Sequence, residues 1–157
     1  MERVIGIGGI AVSNEQEDTI KTFSLASCVA VTAYCRLNHT AGMIHIALPD
    51  RKLSGNEVPG QPCYYATVGV PLLLHKMCVE FGCPKDLLEI ELFGGASSVH
   101  PEDLFRIGTK NMEAVEKILK ESNLKYTASQ TGGIYSRTLE MKVLTGRKTV
   151  FLQPLII

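Results

Sequence analysis

CVAVTAYCRLNHTAGMIHIAL, residues 28–48, decides the fold of this chain. Cys28–Tyr34 is an apolar and β-branched run, Arg36–Thr40 is polar, and Met43–Leu48 is apolar again. Two such runs around a short polar turn read as an antiparallel β-hairpin. The hairpin carries a thiol at its start, Cys28, and an imidazole in its second arm, His45. Side chains alternate faces along a strand, so the pairing register decides whether the two meet. An even number of loop residues puts both on one face; an odd number separates them unless a bulge intervenes. Either register is open to the sequence.

Outward from the hairpin, Val4–Val12 alternates apolar residues with glycine, consistent with a strand and a bend. Pro49–Gln61 is rich in proline, glycine and charge and reads as a surface loop bordering whatever site His45 serves. Pro62–Phe81 carries a helical apolar pattern through Tyr65, Val68, Leu72 and Val79, interrupted by Pro71 and ended by Gly82 and Pro84. Leu88–Phe93 reads as a short strand leading into the Gly94-Gly95-Ala96 turn. Thr109–Ser122 is the clearest helix, with Met112, Val115, Ile118 and Leu119 on one face. Leu124–Ser129, Ile134–Leu144 and Lys148–Leu155 read as further strands. Strands outnumber helices and hairpins dominate. The expected class is α+β: a mixed, largely antiparallel, β-sandwich-like sheet system flanked by helices, in a single domain over residues 1–157.

Composition narrows the function classes. At 157 residues the chain can bury a core without metals or disulfides. Lys plus Arg equals Asp plus Glu at 16 each, so no global field draws in nucleic acid or an anionic membrane. No apolar stretch approaches the ~20 residues of a membrane span, and MERVIGIGGIAV lacks the basic start and apolar run of a signal peptide. Five cysteines are an odd number without a CxxC pair, which argues against a disulfide framework or a zinc ribbon. Reduced thiols in the cytoplasm are the expectation.

The chemistry rests on Cys28 and His45. A free thiol titrates near ~8.5 and needs a neighbouring imidazole to become a thiolate at neutral pH. An imidazole that takes the thiol proton can return one to a leaving amine, the two transfers that acyl chemistry requires. The small and polar Thr22–Ser27 stretch offers backbone N–H groups of the kind a tetrahedral oxyanion needs. Against this, a lone strand cysteine is by frequency a small buried hydrophobe, and a lone strand histidine a core residue. His39 falls in the turn, His75 on a leucine-rich helix, and His100 before a proline. No histidine–cysteine spacing fits a metal site, and neither IGIGG nor FGGA matches a phosphate-binding loop.

Across nearly the whole chain these segments resemble one family, the bacterial chemoreceptor glutamine deamidases, CheD. IGIGGIAV resembles the family's opening strand, TFSLASCVAV its T-x-x-x-x-S-C-V motif, and GMIHIALP its G-x-x-H-x-x-LP motif. ELFGGA, IGTKN before a helix, TGGIYSR and VLTG are similar to later signatures, in the same order. Each glycine turn is weak alone; the ordered set is specific.

The resemblance implies a cysteine hydrolase without metal or organic cofactor. Cys28 is then the nucleophile, His45 the general base and acid, Thr22 the hydroxyl that orients the imidazole, and Ser27 a residue shaping the loop. It implies chemoreceptor cytoplasmic helices as substrate, a CheC-family phosphatase as partner, and activity on glutamate methyl esters as an extension of the same thioester chemistry. The alternative is an adaptor that binds and modulates the phosphatase with little or no catalysis. Ser24 and Ala26 replace glycines that relatives commonly carry before the cysteine, Gln130 stands for an acidic residue before TGG, and Lys110 for an arginine before Asn111.

Overall fold

A computed structural model describes residues 1–51, 61–97 and 106–155. Nine strands and two helices lie among them, and the strands form two sheets. One sheet has five strands: β2 (Ile10–Ser13), β5 (Thr40–Ile46), β4 (Val29–Cys35), β6 (Glu89–Gly94) and β7 (Thr127–Thr131), in that spatial order. The other has four: β1 (Glu2–Ile5), β3 (Thr19–Leu25), β8 (Tyr135–Lys142) and β9 (Lys148–Pro154). β1 pairs β3 and β6 pairs β7 in parallel; every other pairing is antiparallel. The mixed α+β class is as the sequence indicated.

The hairpin sits at the centre. All seven residues of β4 and all seven of β5 are buried, because both faces of the five-stranded sheet are covered. On one face Val31, Ile44 and Ile46 pack with Val70, Leu73 and Met77 and with Val115 and Leu119. The first three of those partners lie on α1 (Ala66–His75) and the turn after it, the last two on α2 (Ile107–Glu121). On the other face Ala30, Met43 and Phe93 meet Ile20, Leu139 and Met141 of the four-stranded sheet. The structure is thus helices, sheet, sheet.

Register is settled by the pairing of Cys35 with Thr40 across residues 36–39, an even loop. Ala30 therefore stands opposite His45. Cys28, two residues before Ala30, continues the same alternation and packs with the cluster between the sheets.

Three expectations change. Thr22–Ser27, read as a small, polar stretch presenting backbone N–H groups, begins inside a strand, for Thr19–Leu25 is β3, at the interior of its sheet. α1 runs through Pro71 and continues as one π-helical turn, Lys76–Glu80, where the straight pattern predicted an interruption. Five reduced thiols were expected, but Cys35 and Cys83 form a disulfide, leaving Cys28, Cys63 and Cys78 free. The end of β4 and the bend after the π-helical turn bring the two Cα atoms within 6.1 Å; an odd count excludes a full framework, not one bridge. Residues 52–60 of the expected loop, and His100, lie outside the described residues. No described helix is long and apolar enough to cross a membrane.

Candidate active site

Thr22 and His45 meet between the two sheets. Both are buried, Thr22 on β3 of one sheet and His45 on β5 of the other. Thr22 Oγ1 lies 2.7 Å from His45 Nδ1 and donates its own proton to the Ile5 carbonyl at 2.9 Å. A hydroxyl has one proton. With that proton on Ile5, Oγ1 accepts from Nδ1–H, so the neutral ring carries its hydrogen on Nδ1. Nε2 keeps its lone pair, is buried, and has no hydrogen-bond partner among the described residues. A buried unpaired acceptor is costly and calls for an explanation; here it is the nitrogen a thiol proton would need.

The imidazole is also fixed through its backbone. The N-terminal glycine bend carries the chain from β1 of one sheet to β2 of the other, and Gly8 N–H donates to the His45 carbonyl at 2.7 Å. His45 N–H donates to the Gly9 carbonyl at 3.2 Å. IGIGG is therefore a brace for His45 rather than a phosphate loop.

Cys28 is half-buried on the same face as His45. Cys28 stands one residue before the β4 ladder and two before Ala30, which pairs with His45, so strand alternation puts both side chains on the inter-sheet face. Of the three free thiols, Cys63 packs in the cluster on the helix face and Cys78 against it; Cys28 alone shares the inter-sheet face with His45.

Burial sets the protonation states. It pushes the Cys28 thiol up to about 11 and pulls His45 down to about 4. The resting pair is a neutral thiol and a neutral imidazole, opposite to the preformed thiolate that the sequence argument required.

The loop before Cys28 is held by backbone. The Cys28 carbonyl accepts from Gly95 N–H at 2.8 Å and the Ala26 carbonyl from Ala96 N–H at 2.7 Å. Gly94 has φ +95°, and a Cβ there would collide with the Cys28 carbonyl oxygen. A Cβ at Gly108 would likewise run into the Ala96 carbonyl, so the first turn of α2 rests directly on the same bend. Ser24 adopts φ 58° at the irregularity between Thr22 and Leu25, a left-handed conformation that glycine favours.

Ser27 contributes its carbonyl, which accepts from Asn111 Nδ2 at 2.9 Å. The same Nδ2 donates to the Ala47 carbonyl at 3.0 Å. Asn111 is buried on α2, within the IGTKN segment. Its signal was present: positions 111, 115 and 119 share the apolar face of the helix, and a polar residue there needs partners. No three His, Cys, Asp or Glu side chains among the described residues are grouped to hold a metal.

A free cysteine and a threonine-bonded histidine share the inter-sheet face of an α+β sandwich. The chain belongs to the CheD family: the model of that family, described as CheD chemotactic sensory transduction, matches residues 47–151. It is 42% identical over 147 residues to the probable chemoreceptor glutamine deamidase CheD of Syntrophotalea carbinolica, covering 91% of this chain and 89% of the relative. It is 37% identical over 150 residues to the probable deamidase of that name from Thermococcus kodakarensis, covering 94% and 90%. The chemoreceptor glutamine deamidase CheD of Thermotoga maritima is 36% identical over 150 residues, covering 96% and 91%. The family match begins beyond His45, whereas coverage this broad in the relatives necessarily takes in Thr22, Cys28 and His45.

Proposed function

We propose that this protein deamidates glutamine side chains of chemoreceptors, with Cys28 as nucleophile, His45 as general base and acid, and Thr22 orienting the imidazole. One observation carries the reading: the Thr22–His45 hydrogen bond leaves Nε2 unprotonated and unpaired on the face that carries Cys28. As the sulfur attacks the carboxamide carbon, His45 Nε2 takes the thiol proton, and the C=O electrons move to oxygen. Collapse of the tetrahedral species breaks the C–N bond, and the imidazolium returns its proton to the departing ammonia. Water then attacks the thioester carbon while His45 again takes the proton, releasing a glutamate side chain and restoring the thiol. A neutral amide thereby becomes a carboxylate, a charge change able to alter helix packing in a receptor. A glutamate methyl ester would pass through the same thioester with methanol as leaving group.

Incubation with receptor cytoplasmic fragments, followed by peptide mass mapping, tests the reading. Individual glutamines should gain one dalton with wild-type protein and remain unchanged with Cys28→Ala. Unchanged fragments after prolonged incubation with folded wild-type protein would overturn it.

A further inference from the structure

We propose that Asn111 is a positioning residue that aims the Cys28 N–H at the reacting carbonyl, making that N–H an oxyanion donor. The inference rests on the deamidase reading and adds to it a part that no reacting side chain supplies.

Asn111 is fully buried, and its amide orientation is fixed by chemistry. Two carbonyl oxygens, those of Ser27 and Ala47, lie at 2.9 and 3.0 Å, and only the –NH2 end can satisfy both. Its Oδ1 has no partner among the described residues, so the bonds the side chain is seen to make are those of its amine. Ala47 is two residues past His45, and Ser27 is one residue before Cys28. One side chain on α2 thus ties together the strand end carrying the imidazole and the loop carrying the thiol.

Peptide geometry gives that tie a direction. Ser27 C=O and Cys28 N–H belong to one planar unit, and the bond between them is trans, as are all peptide bonds among the described residues. In a trans peptide the two groups point opposite ways. Drawing the Ser27 oxygen toward α2 turns the Cys28 N–H away from α2. The following unit is fixed as well, because the Cys28 carbonyl is held by Gly95 N–H. Cys28 is thereby suspended between two immobilised peptide planes. No backbone carbonyl among the described residues accepts its N–H. A donor on the nucleophile's own residue, pre-oriented and without an acceptor among the described residues, is what a developing oxyanion beside that sulfur requires.

The test compares two reactions of the same sulfur. Amide hydrolysis passes through an oxyanion; alkylation by iodoacetamide displaces iodide at a saturated carbon and does not. In full-length Asn111→Ala, kcat on receptor fragments should fall about 100-fold, the usual effect of losing one oxyanion donor, with KM within about threefold of wild type. Cys28 alkylation should stay within about threefold as well. Asn111→Asp, equal in size but without the amine, should match it. A folded variant with near-normal kcat overturns the assignment. So does an equal fall in deamidation and alkylation, which would make Asn111 a mere support for the loop. Should both variants fail to fold, wild-type protein labelled with 15N-cysteine decides. A receptor peptide carrying glutamate semialdehyde adds the Cys28 S–H across its C=O bond, and the Cys28 amide proton should then move downfield; an unmoved signal in the formed adduct overturns the proposal. Wild-type protein that leaves receptor fragments unmodified would sink the deamidase reading itself, a result distinct from active wild type with unaffected Asn111 variants.

Discussion

The two faces of the β4–β5 hairpin are equally buried and chemically unlike. Toward the helices stand Val29, Val31, Ala33, Ile44 and Ile46, an apolar surface packed on α1 and α2. Toward the second sheet stand Ala30, Met43 and His45, with Cys28 just before the strand and Thr22 facing across from β3. Residues adjacent in sequence thus belong to opposite tasks. Burial on the helix face removes apolar area from water and stabilises the fold. Burial on the other face holds two ionisable groups neutral, which costs free energy and leaves Nε2 unpaired. The contrast teaches that being buried says little about a residue's role unless its face is known.

Substitutions on the two faces should separate activity from stability. The largest effect belongs to Cys28→Ala and His45→Ala: a fall in deamidation on the order of 10⁴-fold or more, in protein that is still folded. Comparable turnover by either folded variant would erase the distinction between the faces. Next comes Ile44→Ala, one residue from His45 but pointing at α1. It should lower stability by about 2–5 kcal/mol in denaturant titrations while sparing kcat in the folded fraction.

Acid sharpens the comparison further. His45 is held down to about 4 by burial, against 6.5 in an exposed state, so between those values the unfolded chain binds the extra proton. Stability from this group is complete above pH 6.5 and is lost as pH falls toward 4, on the order of 3 kcal/mol. His45→Gln should flatten that portion of the pH–stability curve; an unaltered curve would show that the ring is not held neutral. Asp18 acts in a separate window: Arg3 chiefly, then Ser13, hold its carboxyl down to about 2, so its contribution fades only as pH drops from 3.8 through about 2.

Thr22→Val should be milder, reducing kcat roughly 10- to 100-fold, because both reacting groups remain while the imidazole loses its orienting partner. An unchanged kcat would leave the Ile5 carbonyl as that hydroxyl's only purpose. The smallest effect is expected at Ser24, whose φ of 58° strains any residue with a Cβ. Ser24→Gly should raise stability by about 0.5–1 kcal/mol, and a loss instead would mean its side chain has unrecorded work.

Much of this was legible in residues 28–48. The hairpin, the later strands and α2 follow from periodicity, and the family pattern marks Cys28 and His45. β3 was not legible because its polarity is inverted at the decisive positions: Thr22 points inward and Phe23 outward, the reverse of a half-buried strand. The protonation states were not legible either, since adjacency of a thiol and an imidazole suggests an ion pair while burial on both opposes it. Asn111 escaped because its partners are main-chain carbonyls 84 and 64 residues away, to which side-chain patterns are blind.

At Gly94 and Gly108 three stretches of main chain lie against one another with no side chain between them. A genetic screen for loss of function would therefore recover these two glycines alongside the reacting residues. Even alanine at either position displaces the segment bearing the thiol without altering a reacting atom. Such mutants would mimic chemical knockouts in a phenotype assay, yet the sulfur and imidazole would still be present. The boundary of the machinery, drawn by inheritance, thus encloses residues whose whole contribution is to occupy no space.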